Sequence, residues 1–194
     1  MRILAVDIGQ SGSRLRSGDG FNFSGGPAFD RTQSLVANVK KVLEAASAPE
    51  TDVVVLSMTG LRGIAPDPHE IGELVHALTR AHHVGIADDG FAAHAGALGG
   101  ADGIAIAVGS GVVSVARHKN KASHRDGDGP ILGDDGSGFW IGRKGLRAAL
   151  RAYEDRGPAT QILHAIEKTH GSVYQAIRTK SDADLMRWCL DVTP

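Results

Sequence analysis

Two turns of the same chemical kind, one near the start and one past the middle, constrain this chain more than any other feature. The first runs Arg2-Ile-Leu-Ala-Val-Asp7-Ile-Gly9-Gln10-Ser11-Gly12-Ser13-Arg14, and the second Gly103-Ile-Ala-Ile-Ala-Val-Gly109-Ser110-Gly111-Val-Val-Ser114. In each, an apolar strand enters a Gly/Ser turn and leaves as a second strand, a hairpin whose exposed backbone N–H groups can cradle an anion. Taken singly, either turn also reads as an ordinary hairpin; two facing each other would make a phosphate clamp. Asp7 ends an otherwise apolar strand, where a carboxylate can hold a hard cation such as Mg²⁺ directly or through water. Gly9 and Gly12 are expected to take positive φ and let a ligand approach the backbone, with Ser11 and Ser13 adding hydroxyl donors.

The segments around these turns alternate in a regular order. Residues 2–8, 13–17 and 20–24 read as three short strands joined by Gly-containing turns, a meander. Over 32–47 the apolar positions Leu35, Val36, Val39, Val42, Leu43 and Ala46 form one helical stripe. A β-branched strand over 52–59, a helix over 67–80 with Ile71, Leu74, Val75 and Leu78 inward, a strand over 83–87 and a short helix over 91–98 follow. Strand, helix, strand alternation implies parallel neighbours with right-handed crossovers. Three antiparallel strands followed by such units is the ribonuclease-H-like pattern, an α/β fold with a mixed five-stranded sheet flanked by helices. At 103 the pattern restarts with strands over 103–108, 111–118 and 121–125, then helices over 139–155 and 158–169. The expected organisation is one lobe over 1–100 and the start of a second over 101–194, with a helical insertion.

Two acidic positions carry the chemistry. Asp88 and Asp89 close the last parallel strand of the first lobe, at the strand end where open α/β sheets put their ligand sites. A carboxylate there can take the proton of a substrate hydroxyl as it attacks a phosphoryl group. With two adjacent aspartates, one is expected to cap the following helix and the other to serve as base, and Asp89 is assigned the base. The segment Gly129-Pro130-Ile-Leu-Gly133-Asp134-Asp135-Gly136-Ser137-Gly138-Phe139-Trp140-Ile-Gly142 is a glycine-bracketed acidic turn ahead of a helix. Asp134 or Asp135 could accept hydrogen bonds from sugar hydroxyls, and either could cap that helix.

Composition bounds the partners. A formal net charge of -1 and the lack of a Lys/Arg run argue against nucleic acid. No stretch approaches the length of a membrane span. A single cysteine, Cys189, rules out an intramolecular disulfide and a four-thiolate metal site within one chain, and fits a reducing, cytoplasmic setting. Neither His82-His83 nor the Glu73/His76 pair has the spacing of a zinc site. Arg143, Lys144, Arg147 and Arg151 read as a solvated helix face before a phosphate contact. Phe139 and Trp140 read as core before a sugar-stacking platform.

The segments Asp7-Ile-Gly-Gln-Ser-Gly-Ser-Arg14, Ala87-Asp-Asp-Gly-Phe-Ala-Ala-His94, Val108-Gly-Ser-Gly111 and Leu132-Gly-Asp-Asp-Gly-Ser-Gly-Phe-Trp-Ile-Gly142 resemble the motif series of the BadF/BadG/BcrA/BcrD ATPase family. Within it they resemble the N-acetylglucosamine and glucosamine kinases, of the actin, hexokinase and Hsp70 superfamily. The resemblance implies two ribonuclease-H-like lobes closing over Mg·ATP and a sugar. It implies that Asp7 and the turn Gly9, Gln10, Ser11, Gly12, Ser13 form the first phosphate motif, with Mg²⁺ at Asp7, and that Gly109, Ser110 and Gly111 form the second. Asp89 matches the catalytic base, while Asp88, Asp89, Gly133 and Asp134 match the sugar side. The reaction implied is transfer of the γ-phosphoryl group of ATP to an amino-sugar hydroxyl. The chain departs from the family's usual Asn-Asp at Asp88-Asp89, and has Asp128 where a tryptophan is common. Relatives continue past the position of Pro194, so the second lobe is expected to be incomplete: the chain is a fragment, or nucleotide binding has been lost or rebuilt, a homodimer being one way to rebuild it. A sugar- or nucleotide-sensing module of the same fold is the alternative. An activator ATPase with a cysteine-held iron–sulfur cluster is the third reading, which a single cysteine fits poorly.

Overall fold

The computed structural model describes residues 1–61 and 66–191. The chain divides into two units, Met1–Ala105 with Val115–His124, and Ile106–Ser114 with Arg125–Pro194.

The first unit is built on β1 (Ile3–Gly9), β2 (Gly12–Ser17), β3 (Asn22–Gly26), β4 (Val53–Met58) and β5 (His83–Asp88), in the order β3-β2-β1-β4-β5. β1, β2 and β3 pair antiparallel as the meander, while β4 lies parallel between β1 and β5. Alternation along the strands sends Leu4, Val6 and Ile8 of β1 and Val54, Leu56 and Met58 of β4 to one face, where they are fully buried. Against that face pack α1 (Leu35–Ala45), through Val39, Val42 and Leu43, and α2 (Pro68–Thr79), through Ile71 and Val75. The opposite face leaves Ile3 and Val55 exposed and carries Asp7.

Local chemistry sets the helix ends. α1 begins at Leu35, the first residue of the apolar stripe and later than the expected start at 32, because the Ser34 hydroxyl accepts from the Ala37 N–H at 3.1 Å. α2 has Asp67 as its cap and Pro68 in its first turn. α3 (Asp89–Leu98) starts two residues before the expected position, since Asp88 caps it and accepts from the Gly90 N–H at 3.0 Å. β3 starts at Asn22 because the Ser17 N–H is bonded to the Phe21 carbonyl, which closes a turn over 18–20.

A second sheet has the order β6 (Gly103–Val108), β7 (Val112–His118), β8 (Lys121–Asp126). The second unit's helices are α4 (Gly129–Leu132), α5 (Gly138–Tyr153), α6 (Gln161–His170), α7 (Val173–Arg178) and α8 (Asp182–Asp191). Leu146, Ala149, Ile166, Val173, Trp188 and Cys189 form its core, with Phe139 packed against them. α4, α7 and α8 have no counterpart in the sequence reading, as each is short or lacks a clean apolar stripe. α5 and α8 approach backbone to backbone at Gly142, where an added Cβ would lie 1.6 Å from the Cys189 carbonyl oxygen.

Candidate active site

In the first unit, three strand ends bring the acidic groups together. Register places Asp7 of β1 beside Arg14 of β2 and Ser57 of β4, and Ser57 beside Ala87 of β5, so one row crosses the carboxyl ends of the parallel strands. The Ser57 hydroxyl donates to Asp7 Oδ1 at 3.1 Å, and the Arg14 guanidinium meets Oδ2 at 3.0 Å. Gly9 pairs with Gly12, leaving Gln10 and Ser11 as the exposed tip of the hairpin.

Gly12 has φ of 153°, whereas Gly9 does not adopt positive φ, contrary to the expectation for that turn. Gly9 is instead held as a strand end, its carbonyl accepting from the Phe29 N–H at 2.9 Å. Ser13 faces the core, 1% exposed, and its hydroxyl has no hydrogen-bond partner among the described residues. A Cβ on the facing Gly26 would come within 2.4 Å of that hydroxyl, so glycine is what lets β3 lie against Ser13.

The two adjacent aspartates take different environments. Asp88 is buried, and its Oδ1 accepts from the Gly90 N–H at 3.0 Å and lies 3.3 Å from His124 Nε2. Asp89 occupies the first turn of α3. Burial pushes its carboxyl above the ordinary range, the neighbouring Asp88 charge pushes it further, and a hydrogen bond from Thr59 pulls the other way. The Asp7 charge adds to the upward push. A carboxylate whose ionised form is destabilised holds a proton more firmly once it takes one, which suits a general base. Thr59, Ser57 and His124 were not singled out in the sequence; for the first two, the available signal was position at the carboxyl end of β4.

Within the second unit, the hairpin at Gly109, Ser110 and Gly111 and the acidic turn form one hydrogen-bonded assembly. Asp134 Oδ1 accepts from the Val112 N–H at 2.9 Å, and the Asp134 N–H donates to Asp126 Oδ1 at 3.0 Å. The Gly138 N–H donates to the Gly109 carbonyl at 2.8 Å. A Cβ at Gly111 would meet Asp134 Oδ1 at 2.8 Å, and one at Gly133 would meet Asp126 Oδ1 at 2.6 Å. Glycine at both positions therefore admits a carboxylate. The cap of α5 is neither Asp134 nor Asp135 but Ser137, whose hydroxyl accepts from the Trp140 N–H at 3.1 Å. Asp134→Ala is expected to destabilise the protein by about 1–3 kcal/mol in urea unfolding, since it leaves the Val112 N–H without its acceptor; Asp134→Asn, which keeps Oδ1, should lose less. Of the basic residues on α5, Arg143 donates to the Pro130 carbonyl at 2.9 Å and Arg151 to the Arg156 carbonyl at 3.2 Å.

Among the described residues no group of three His, Cys, Asp or Glu side chains is placed to hold a metal ion by itself. Mg²⁺ carried by a nucleotide needs one or two carboxylates and takes its other ligands from phosphate and water. Asp7 fits that need, since it is only half-buried and its two oxygens keep further lone pairs beyond Ser57 and Arg14. Among the described residues, no helix is long and apolar enough to cross a membrane.

A mixed β3-β2-β1-β4-β5 sheet with acidic groups at its parallel strand ends is the ribonuclease-H-like lobe of the actin-like ATPases. The chain belongs to the BadF/BadG/BcrA/BcrD ATPase family, whose model matches residues 18–185. That match begins after the first hairpin. Among curated relatives, the N-acetylmuramic acid/N-acetylglucosamine kinase of Clostridium acetobutylicum is 30% identical over 123 residues, 63% of this chain and 38% of the relative. The N-acetyl-D-glucosamine kinase of Dictyostelium discoideum is 32% identical over 90 residues, 46% of this chain and 26% of the relative. The chain thus spans well under half the length of these relatives. Crystal structures of candidate N-acetylglucosamine kinases superpose over 97% of this chain: that from Porphyromonas gingivalis with a TM-score of 0.75 at 18% identity, covering 70% of its chain, and that from Chromobacterium violaceum with a TM-score of 0.68 at 22% identity, covering 72%. These likenesses establish the fold.

Proposed function

We propose that this chain carries the phosphoryl-transfer site of an ATP-dependent amino-sugar kinase. The observation that carries the reading is Asp89, a half-buried carboxylate in the first turn of α3 at the end of a parallel strand, its proton affinity raised by that burial, set in the same unit as the hairpin Gly9, Gln10, Ser11, Gly12 and Asp7. In this reading Asp89 takes the proton of the sugar hydroxyl as it attacks the γ-phosphorus. Backbone N–H groups of the first turn hold phosphate oxygens, with Gly109, Ser110 and Gly111 as the second phosphate turn. Ser13 supports the first turn from beneath, and Asp88, Gly133 and Asp134 shape the sugar side. Asp7 would hold Mg²⁺, which when bound neutralises phosphate charge and orients the transferring group. The names of the curated relatives support an N-acetylated amino sugar as the first substrate to try. A cytoplasmic setting and a homodimer belong to the same proposal.

A coupled ADP-release assay tests it, with Mg·ATP against glucosamine, N-acetylglucosamine, N-acetylmuramic acid and glucose. Sugar-dependent ADP release by this chain is the expected result, and the preferred sugar names the substrate. Sugar binding without ADP release, from this chain and from any longer form, would overturn the kinase and support the sensing module.

Two further outcomes follow. Asp7→Ala should weaken Mg·ATP more than sugar, and equal losses for both would remove Asp7 from the phosphate side. Since Asp89 must be ionised to accept a proton and burial raises its proton affinity, kcat/KM should fall as the pH drops through a value above the ordinary carboxylate range. A pH–rate profile with its acidic limb at an ordinary aspartate position would count against Asp89 as the base.

A further inference from the structure

Behind the base candidate lies a second buried contact that the proposed reaction does not use. His124 sits on β8, 15% exposed at its side chain, and its Nε2 lies 3.3 Å from Oδ1 of Asp88, whose side chain is 5% exposed. The same oxygen accepts from the Gly90 N–H at the start of α3. The ring of Phe91, on the first turn of α3, lies 6.1 Å from the imidazole, centroid to centroid. An imidazole from a distant strand thus clamps the residue that both caps α3 and immediately precedes Asp89.

The proton at this contact can be assigned by chemistry. A carboxylate at a helix N-terminus is favoured as the anion, because the N–H groups and the helix dipole stabilise negative charge there. An anionic Asp88 can only accept, so His124 must present Nε2–H, either as that neutral tautomer or as imidazolium. The donor therefore does two things. It fixes the carboxylate plane of Asp88, and with it the entry of the chain into α3 where Asp89 stands. It also offsets the charge that lies closest to Asp89 in sequence.

We propose that His124 is a positioning residue for the Asp88–Asp89 pair, holding Asp88 as an oriented anion so that Asp89 is presented to the substrate hydroxyl. The assignment rests on the kinase reading for its consequence in turnover, but not for its geometry. Among the described residues, Asp88 and, on β1, Asp7 push the proton affinity of Asp89 up, and His124 on β8 contacts Asp88. Removing His124 leaves the Asp88 charge less offset, so Asp89 should take up its proton at higher pH.

The test uses the whole chain and three forms, wild type, His124→Ala and His124→Gln, the last carrying an amide nitrogen at roughly the place of Nε2. Nitrogen-detected imidazole spectra of the wild type should show His124 protonated at Nε2 at neutral pH. Carboxyl-carbon titration should show the protonation of Asp89 moved to higher pH in His124→Ala and near the wild-type position in His124→Gln. In the ADP-release assay His124→Ala should lose about ten- to a hundredfold in kcat with little change in KM for Mg·ATP, and His124→Gln should recover most of it. An unprotonated Nε2, or an Asp89 that titrates as wild type in His124→Ala, overturns the proposal. So does a glutamine variant as damaged as the alanine one. If His124→Ala does not fold, the wild-type tautomer and the glutamine variant still decide. The spectroscopic readouts need no turnover: a protein that meets them yet releases no ADP refutes the kinase alone, and one that turns over without meeting them refutes the role of His124 alone.

Discussion

Asp89→Asn should lower the rate of phosphoryl transfer by about 10²–10⁴-fold while leaving sugar affinity nearly unchanged. The amide keeps the size of the side chain and can still accept the hydrogen bond from Thr59, so packing at the start of α3 is preserved. What it cannot do is take a proton from the attacking hydroxyl. Stability should move the other way. A carboxyl whose proton affinity is higher folded than unfolded binds more protons in the native state, so its contribution is favourable at low pH and is lost as pH rises through the raised value. At neutral pH the ionised, half-desolvated Asp89 is therefore a small burden on the fold, and Asp89→Asn should leave the Tm unchanged or raise it. A mutant with near-normal turnover would take Asp89 out of the mechanism; a mutant with lost turnover and a collapsed Tm would make its role structural.

Gly142→Ala is the substitution expected to damage the fold most. The new methyl would sit 1.6 Å from the Cys189 carbonyl oxygen, a backbone atom that cannot rotate away as a side chain can. α8 would have to move off α5, opening the contacts of Trp188 and Cys189 with Leu146 and Ala149. Overpacking typically costs about 1–3 kcal/mol, and a clash with fixed backbone falls at or above the upper end of that range. The loss should appear in urea unfolding and as faster amide exchange in α5 and α8, with α1 and α2 protected as in the wild type. A Gly142→Ala protein of wild-type stability and exchange would mean that α5 and α8 do not meet at this glycine. On α5 propensity alone, alanine would have been expected to stabilise.

What was legible in the sequence is what depends on neighbours along the chain. Alternation in Ile3–Gly9, the stripe through Val39, Val42 and Leu43, and the order of strands and helices are local patterns, and they determined the meander and the parallel strands that follow it. The Gly/Ser turns and the Asp88-Asp89 pair at a strand end were legible for the same reason. Within that pair the sequence assigns the base to Asp89 and so leaves the cap to Asp88, whose carboxylate does turn back to the Gly90 N–H. Gly9, taken from the motif as a positive-φ glycine, is an extended strand end because Gly12 lies opposite and the Phe29 N–H holds its carbonyl. Tertiary structure alone decided that Asp134 ties down the second hairpin, that His124 reaches Asp88 from β8, and that Gly142 admits α8. Each of these joins residues far apart in the chain, and a contact of that kind is set by how packed elements approach in space, which no local pattern of residues encodes.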